Sequence, residues 1–143
     1  MKASAVRYLL DAGPLVGALS RHDQWHEWCA LVIATLDEPV FTTEIVFGEV
    51  CHLLKAERAA LRVAIRQVTR GRLVLVPIWA AHGARADELL AQYPQMDAGD
   101  ASLVVLSEQH PRARIITVDA RHFTIYRRFR HEPLPLIHPP ASP

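Results

Sequence analysis

The chain is 143 residues long, half of them apolar and 22% charged, with a formal net charge of +1 at neutral pH. That length suits one domain with a real core, and the composition is globular rather than disordered or fibrous. Near-neutral charge excludes a global electrostatic footprint for nucleic acid, so any such surface has to be local.

In chain order, Arg7 to Leu10 is expected to form a buried strand that ends on a bare carboxylate, Asp11, with a short helix opening at Pro14. Arg7 and Asp11 interrupt any hydrophobic run before it could serve as a secretory signal. The longest uncharged apolar run, Trp28 to Leu36, is too short to cross a membrane, so a cytoplasmic chain is expected. Trp25, Trp28, Cys29, Val32, Ile33 and Leu36 recur at helical spacing, which predicts an amphipathic helix over His22 to Leu36. "EPVFTT" supplies a short strand at Val40 and Phe41, and Thr42 or Thr43 can cap a helix carrying Val46, Phe47, Val50, Cys51 and Leu54 on one stripe. Ala56 to Arg70 is a further helix, stopped by Gly71. "LVLVPI" (Leu73 to Ile78) is a strand, Ala80 to Tyr93 a helix weakened by Gly83, Asp97 to Glu108 a helix, and Arg114 to Val118 a strand. Leu134 to Ile137 is expected at a sheet edge, since Pro135 has no donor for a central strand.

Strands that alternate with helices, and that are apolar throughout rather than at every second residue, imply a parallel sheet covered on both faces. The fold class is therefore α/β, a three-layer α/β/α sandwich with a mostly parallel central sheet. One domain is expected over residues 1–132, with a Pro-rich tail over 133–143. Cys29 and Cys51 form neither a disulfide framework nor a zinc spacing, and read as core thiols.

In open parallel sheets, ligands bind outside the carboxyl ends of the strands. Asp11 and Asp119 each directly follow a strand segment, so two carboxylates distant in sequence reach the same sheet edge. Glu49 lies beside an apolar helical stripe, where an ionised side chain needs a partner. Asp97 and Asp100, at i and i+3, share a helix face. Their ordinary reading is an N-cap and a first-turn acid that complements the helix dipole.

"YLLDAGPLVGAL", "FTTEIVFGEVCHLL", "YPQMDAGDASLVVLSE" and "IITVDARHFTIYR" follow one another in this order. Together they resemble the PIN domain, especially the VapC toxins of bacterial VapBC toxin–antitoxin pairs, from about Tyr8 to Phe129. The resemblance implies an acidic set of Asp11, Glu49, Asp100 and Asp119, with Thr117 as the hydroxyl residue beside the last and Asp97 as a cap or auxiliary ligand. Four converging carboxylates raise one another's pKa unless a cation intervenes. Mg²⁺ or Mn²⁺, with oxygen ligands, removes that conflict. Asp11 and Asp100 are the expected direct ligands, Asp119 a further or water-mediated contact, and Glu49 the residue that orients or deprotonates a water. The reaction implied is hydrolysis of RNA phosphodiester bonds. The partners implied are an RNA substrate, a cognate antitoxin and a second copy of the chain, with no membrane. In "RHFTIYRRFR", Arg121, Arg127 and Arg128 are candidates to grip phosphates. The aromatic residues between them read as core, and Trp25, Trp28 and Trp79 as candidate interface anchors.

Other readings have less support. His22 and His26 stand at i and i+4 with Cys29 a turn further, but no fourth metal ligand is evident. There is no phosphate loop and no nucleophilic triad. A haloacid-dehalogenase-like phosphatase requires an acid where Gly13 stands, and a receiver domain requires a late Lys where only Lys2 and Lys55 exist. A PIN nuclease of RNA processing or repair, and a PIN-like module that binds without catalysis, are the remaining alternatives. Length without an added domain favours the toxin.

Overall fold

The strand segments are short and largely apolar, and in the computed structural model, which describes residues 5–140, they pair into one parallel sheet. The last three residues of the Pro-rich tail, like the first four of the chain, lie outside the described residues. The order along the chain is β1 (Tyr8–Leu10), α1 (Ala12–Leu19), α2 (His26–Ala34), β2 (Val40–Thr43), α3 (Glu44–Leu53), α4 (Arg58–Thr69) and β3 (Leu73–Val76). It continues with α5 (Trp79–Gln92), α6 (Ala98–Gln109), β4 (Arg114–Ile116), α7 (Ala120–Phe123), β5 (Arg127–Arg128), β6 (Glu132–Pro133) and β7 (Leu136–Ile137). The sheet order is β3-β2-β1-β4-β7, with every pairing parallel. The expected edge strand is β7. The chain steps outward from β1 to β2 to β3 and then returns to the other side of β1 as β4, so the direction of winding reverses between β1 and β4.

Helices flank the sheet. On one side α1 packs with α2 and α4, on the other α6 packs with α5 and the strands, and α3 touches both α1 and α6. Gly99 and every residue from Ala101 to Ser107 in α6 are buried, as expected of a helix that is apolar almost all round. Its hydroxyls are satisfied: Ser102 Oγ donates to Gly99 O at 2.7 Å and pairs with Thr43 Oγ1 at 2.8 Å. Thr43, not Thr42, caps α3 by accepting from Val46 N. Gly71, at φ +75°, turns the chain after α4.

Several boundaries differ from expectation for local reasons. Helix α1 begins at Ala12, leaving Pro14 still within the first turn, where a missing N–H costs no helical bond. The region around His22 forms turns rather than helix, because the Asp23 carboxylate accepts from Trp25 N at 2.8 Å and offers the backbone a competing partner. His26 Nδ1 meets Gly17 O at 2.8 Å, which ties the start of α2 to α1. β3 ends before Pro77, which cannot extend a ladder. Cys29 is buried, whereas Cys51 is only half-buried. The β5–β6 hairpin was not expected. Its turn holds Phe129 and Arg130 at φ 50° and 71°, so the glycine that normally announces such a bend is absent.

Candidate active site

Asp11 follows β1 and caps α1, with Oδ1 accepting from Ala12 N at 2.8 Å. Its other oxygen accepts from Thr117 Oγ1 at 2.8 Å. Thr117 is wholly buried just past β4, and the same hydroxyl accepts from Asp119 N at 2.9 Å. A single side chain thus fixes the carboxylate on one strand and the turn that presents the carboxylate on the next. Asp119 caps α7 by accepting from His122 N and faces His122 Nδ1 at 2.9 Å.

The other acids arrive on helices. Asp97 caps α6 by accepting from Asp100 N at 2.8 Å, so its ordinary reading as a cap is met in the structure. Asp100, one turn in, accepts from Tyr126 Oη at 2.8 Å. Glu49 on α3 is exposed, not held against the apolar stripe. A Cβ built on buried Gly99 would lie 3.4 Å from both Glu49 Oε2 and Asp97 Oδ1. Glu49 therefore meets the start of α6 at a residue with no side chain to hold it off. All of these acids gather at the carboxyl ends of β1 and β4, where the winding reverses and α/β sheets place their ligand crevice.

The electrostatics follow from burial without compensation. Asp11 is pushed up to about 6, first by burial and then, against the Thr117 and Ala12 hydrogen bonds, by Glu49 and Asp119. Asp100 is pushed up to about 7, mainly by burial, with Asp97 and Asp11 adding repulsion that the Tyr126 hydrogen bond opposes. Partial burial and Asp97 raise Glu49. Among the described residues, none of Asp11, Glu49, Asp97 and Asp100 forms an ion pair with Arg, Lys or His.

Among the described residues, no three Asp, Glu, His or Cys side chains close into a ready metal cage. A hard divalent cation does not require one: Mg²⁺ is commonly held by one or two carboxylates, with water and substrate oxygens completing its shell. An all-oxygen donor set, with Asp11 and Asp100 raised by burial and mutual repulsion and neither paired with a basic side chain among the described residues, fits such an ion.

Of the three arginine candidates, Arg121 is exposed. Arg127 directs its guanidinium at the carbonyls of Thr124 and Tyr126, at 2.7 and 3.0 Å. Arg128 is corrected to a structural residue. Only 4% exposed, it donates to Ser107 O, Ser107 Oγ and Pro111 O, which ties the hairpin to the end of α6 and leaves nothing to offer a phosphate. Trp79 is exposed, while Trp25 and Trp28 are half-buried.

Tyr126 was missed as a site residue, because it sits among apolar neighbours and reads as core. Its ring is indeed buried, edge-on to Tyr93 and Phe123. The available signal was the phenol itself, since a buried Tyr hydroxyl needs a partner, here Asp100.

The model of the PIN domain matches residues 8–129. No curated protein matches the chain. Among solved structures, the chain is similar to the Mycobacterium tuberculosis VapC20 toxin, described as cleaving the sarcin-ricin loop. The identity is 17% and the TM-score 0.68, covering 76% of this chain and 86% of that one. It is also similar to VapBC2 of Rickettsia felis, solved bound to a promoter DNA fragment, at 16% identity and TM-score 0.63, covering 94% and 100%. A toxin–antitoxin complex from Klebsiella pneumoniae aligns at 18% identity and TM-score 0.64, covering 85% and 92%.

Proposed function

The chain belongs to the PIN domain family, and from that premise we propose that it is a divalent-metal-dependent endoribonuclease, the toxin of a VapBC-type pair. One observation carries the reading. Four acids from two strand ends and two helices gather where the sheet reverses, and among the described residues neither Asp11 nor Asp100 is neutralised by a basic side chain.

Asp11 and Asp100 are the residues that would hold Mg²⁺ or Mn²⁺, with Asp119 and Asp97 at its outer contacts. When bound, the ion supplies Lewis-acid polarisation of a phosphate and a lowered pKa for an attacking water. Glu49 would orient or deprotonate an attacking water. It is exposed to solvent, and its raised pKa brings it nearer the working pH of a general base. Thr117 and Tyr126 hold Asp11 and Asp100 in place, and Arg121 and Arg127 stand on the segment that follows Asp119, where RNA phosphates would approach.

The toxin assignment is supported by the kind of protein that shares this fold, VapC and toxin–antitoxin complexes. An antitoxin and a second copy of the chain are the proposed partners. Leu31, Leu53 and Ile65 expose apolar surface on α2, α3 and α4 that such partners would cover. No helix among the described residues is long and apolar enough to cross a membrane, and a cytoplasmic setting is proposed with the rest.

The test is cleavage of structured and unstructured RNA by purified protein with Mg²⁺, Mn²⁺ or chelator, beside Asp11→Asn. Cutting that needs metal and disappears in the variant is expected. Equal cutting by the variant, or in chelator, would overturn the assignment.

A further inference from the structure

At the opposite ends of the strands from the acids stands a row of arginines that the proposed chemistry does not use. Arg7 precedes β1, Arg72 precedes β3 and Arg114 opens β4, while Arg70 and Arg112 sit in the adjoining loops. All five are exposed. Arg7 and Arg114 lie on neighbouring strands, joined by Arg114 N donating to Arg7 O at 3.0 Å. Two open grooves run beneath the row, one of about 630 Å³ beside Arg7, Arg112 and Arg114, the other of about 420 Å³ beside Arg70 and Arg72.

Among the described residues, only Asp37 and Glu38 bring negative charge to either groove, and Glu38 is engaged by Arg7 at 3.0 Å. Arg70, Arg72, Arg112 and Arg114 form no ion pair among the described residues. The near-neutral net charge therefore conceals an uneven distribution, with the candidate site acids at one end of the sheet and this arginine row at the other. Crowded guanidinium groups repel one another unless an anion sits among them, and their planar forks match phosphate oxygens in pairs. A protein partner would instead find buried aromatic or aliphatic anchors. Among the described residues, none of the large exposed apolar side chains lines either groove, whose apolar lining includes the half-buried Val6, Tyr8 and Leu36.

We infer that this edge is a second RNA-binding surface, gripping substrate phosphates away from the cut site. The inference rests on the nuclease reading and deepens it. Arg7 and Asp11 are separated by the length of β1, about 13 Å of extended chain. An RNA that touches both ends must be long or folded enough to wrap the sheet, so structured RNA is the substrate class that benefits.

The experiment measures binding of a fluorescein-labelled RNA hairpin to the full chain in chelator, by anisotropy across a salt series. It compares wild type with Arg70→Glu/Arg112→Glu, a pair whose side chains make no hydrogen bond among the described residues. The double variant is expected to bind about 10-fold more weakly near 0.1 M salt. The plot of log affinity against log salt should become shallower by about 2, equally for two unrelated hairpin sequences. Arg70→Lys/Arg112→Lys should retain the slope. Unchanged affinity and slope in a variant with wild-type Tm would overturn the inference. If the double reversal fails to fold, Arg112→Gln carries the same test, with a slope change of about 1. With Mg²⁺ restored, kcat/KM should fall for the hairpin and not for a short oligonucleotide, and an equal fall on both would overturn the inference. Absence of cutting by wild type on either RNA would count against the nuclease reading, while the chelator arm still judges the arginine row.

Discussion

At the scale of single residues, the site is a set of carboxylates whose neighbours decide what each can do. Removing the charge of Asp11 by Asp11→Asn should lower RNA cleavage on the order of a thousandfold, several kcal/mol of transition-state stabilisation, while a circular dichroism spectrum stays native. Tyr126→Phe addresses positioning. Asp100 loses the hydrogen bond that opposes its burial, so its pKa should rise further. The acid limb of the rate profile should then move to higher pH, with kcat lower by about 10-fold and KM little changed. A loss of Tm without movement of that limb would mean the phenol serves only the core. Asp11 and Asp119 were legible because each carboxylate interrupts an apolar run where a strand has to end. Thr117 came into view only through the family resemblance, and Tyr126 not at all, since a hydrogen bond across 26 residues leaves no local pattern. Arg128 misled for the opposite reason: a basic residue in a basic run looks solvated until its carbonyl partners are seen.

At the scale of elements, helices announced themselves by periodicity and caps, and their ends shifted wherever a side chain competed for the backbone. Asp23 unwinds the predicted start of α2 in this way, and Pro77 stops β3 short. The hairpin β5–β6 stayed illegible because its bend uses Phe129 and Arg130 rather than glycine. Thr43 joins two roles, capping α3 and meeting Ser102 of α6 in a buried hydroxyl pair. Thr43→Ala should cost about 1–2 kcal/mol and lower Tm by about 5 °C, measured by thermal unfolding. Gly17 is the close contact between α1 and α2, where an added Cβ would come within 2.7 Å of Cys29 Sγ. Gly17→Ala should therefore destabilise by about 1–3 kcal/mol, read from a urea midpoint that falls without a change in slope.

At the scale of the whole molecule, stability and the proposed metal binding are linked through the same acids. Asp11 and Asp100 have folded-state values of about 6 and 7, above the ordinary 3.8. In the absence of metal the folded form therefore binds more protons than the unfolded one from about pH 4 up to about pH 7. Stability falls as pH rises through that window. Between pH 5 and 8 in chelator, Tm should decline, and Asp11→Asn should flatten the decline. Added Mg²⁺ should raise Tm more at pH 8 than at pH 5, because the ion takes the ionised carboxylates. A Tm that climbs with pH in chelator would contradict the electrostatics described above. The parallel sheet and its two helical layers were legible from strands that are apolar throughout. The reversal between β1 and β4 was not, because strand order leaves no mark on local composition.

Thr117 clamps Asp11 across 106 residues of chain. Pairing so distant in sequence is slow to form and waits on loop closure. During synthesis the first strand leaves the ribosome long before its partner exists, so a truncated or nascent copy lacks the Thr117 clamp on Asp11 and has no assembled acidic centre.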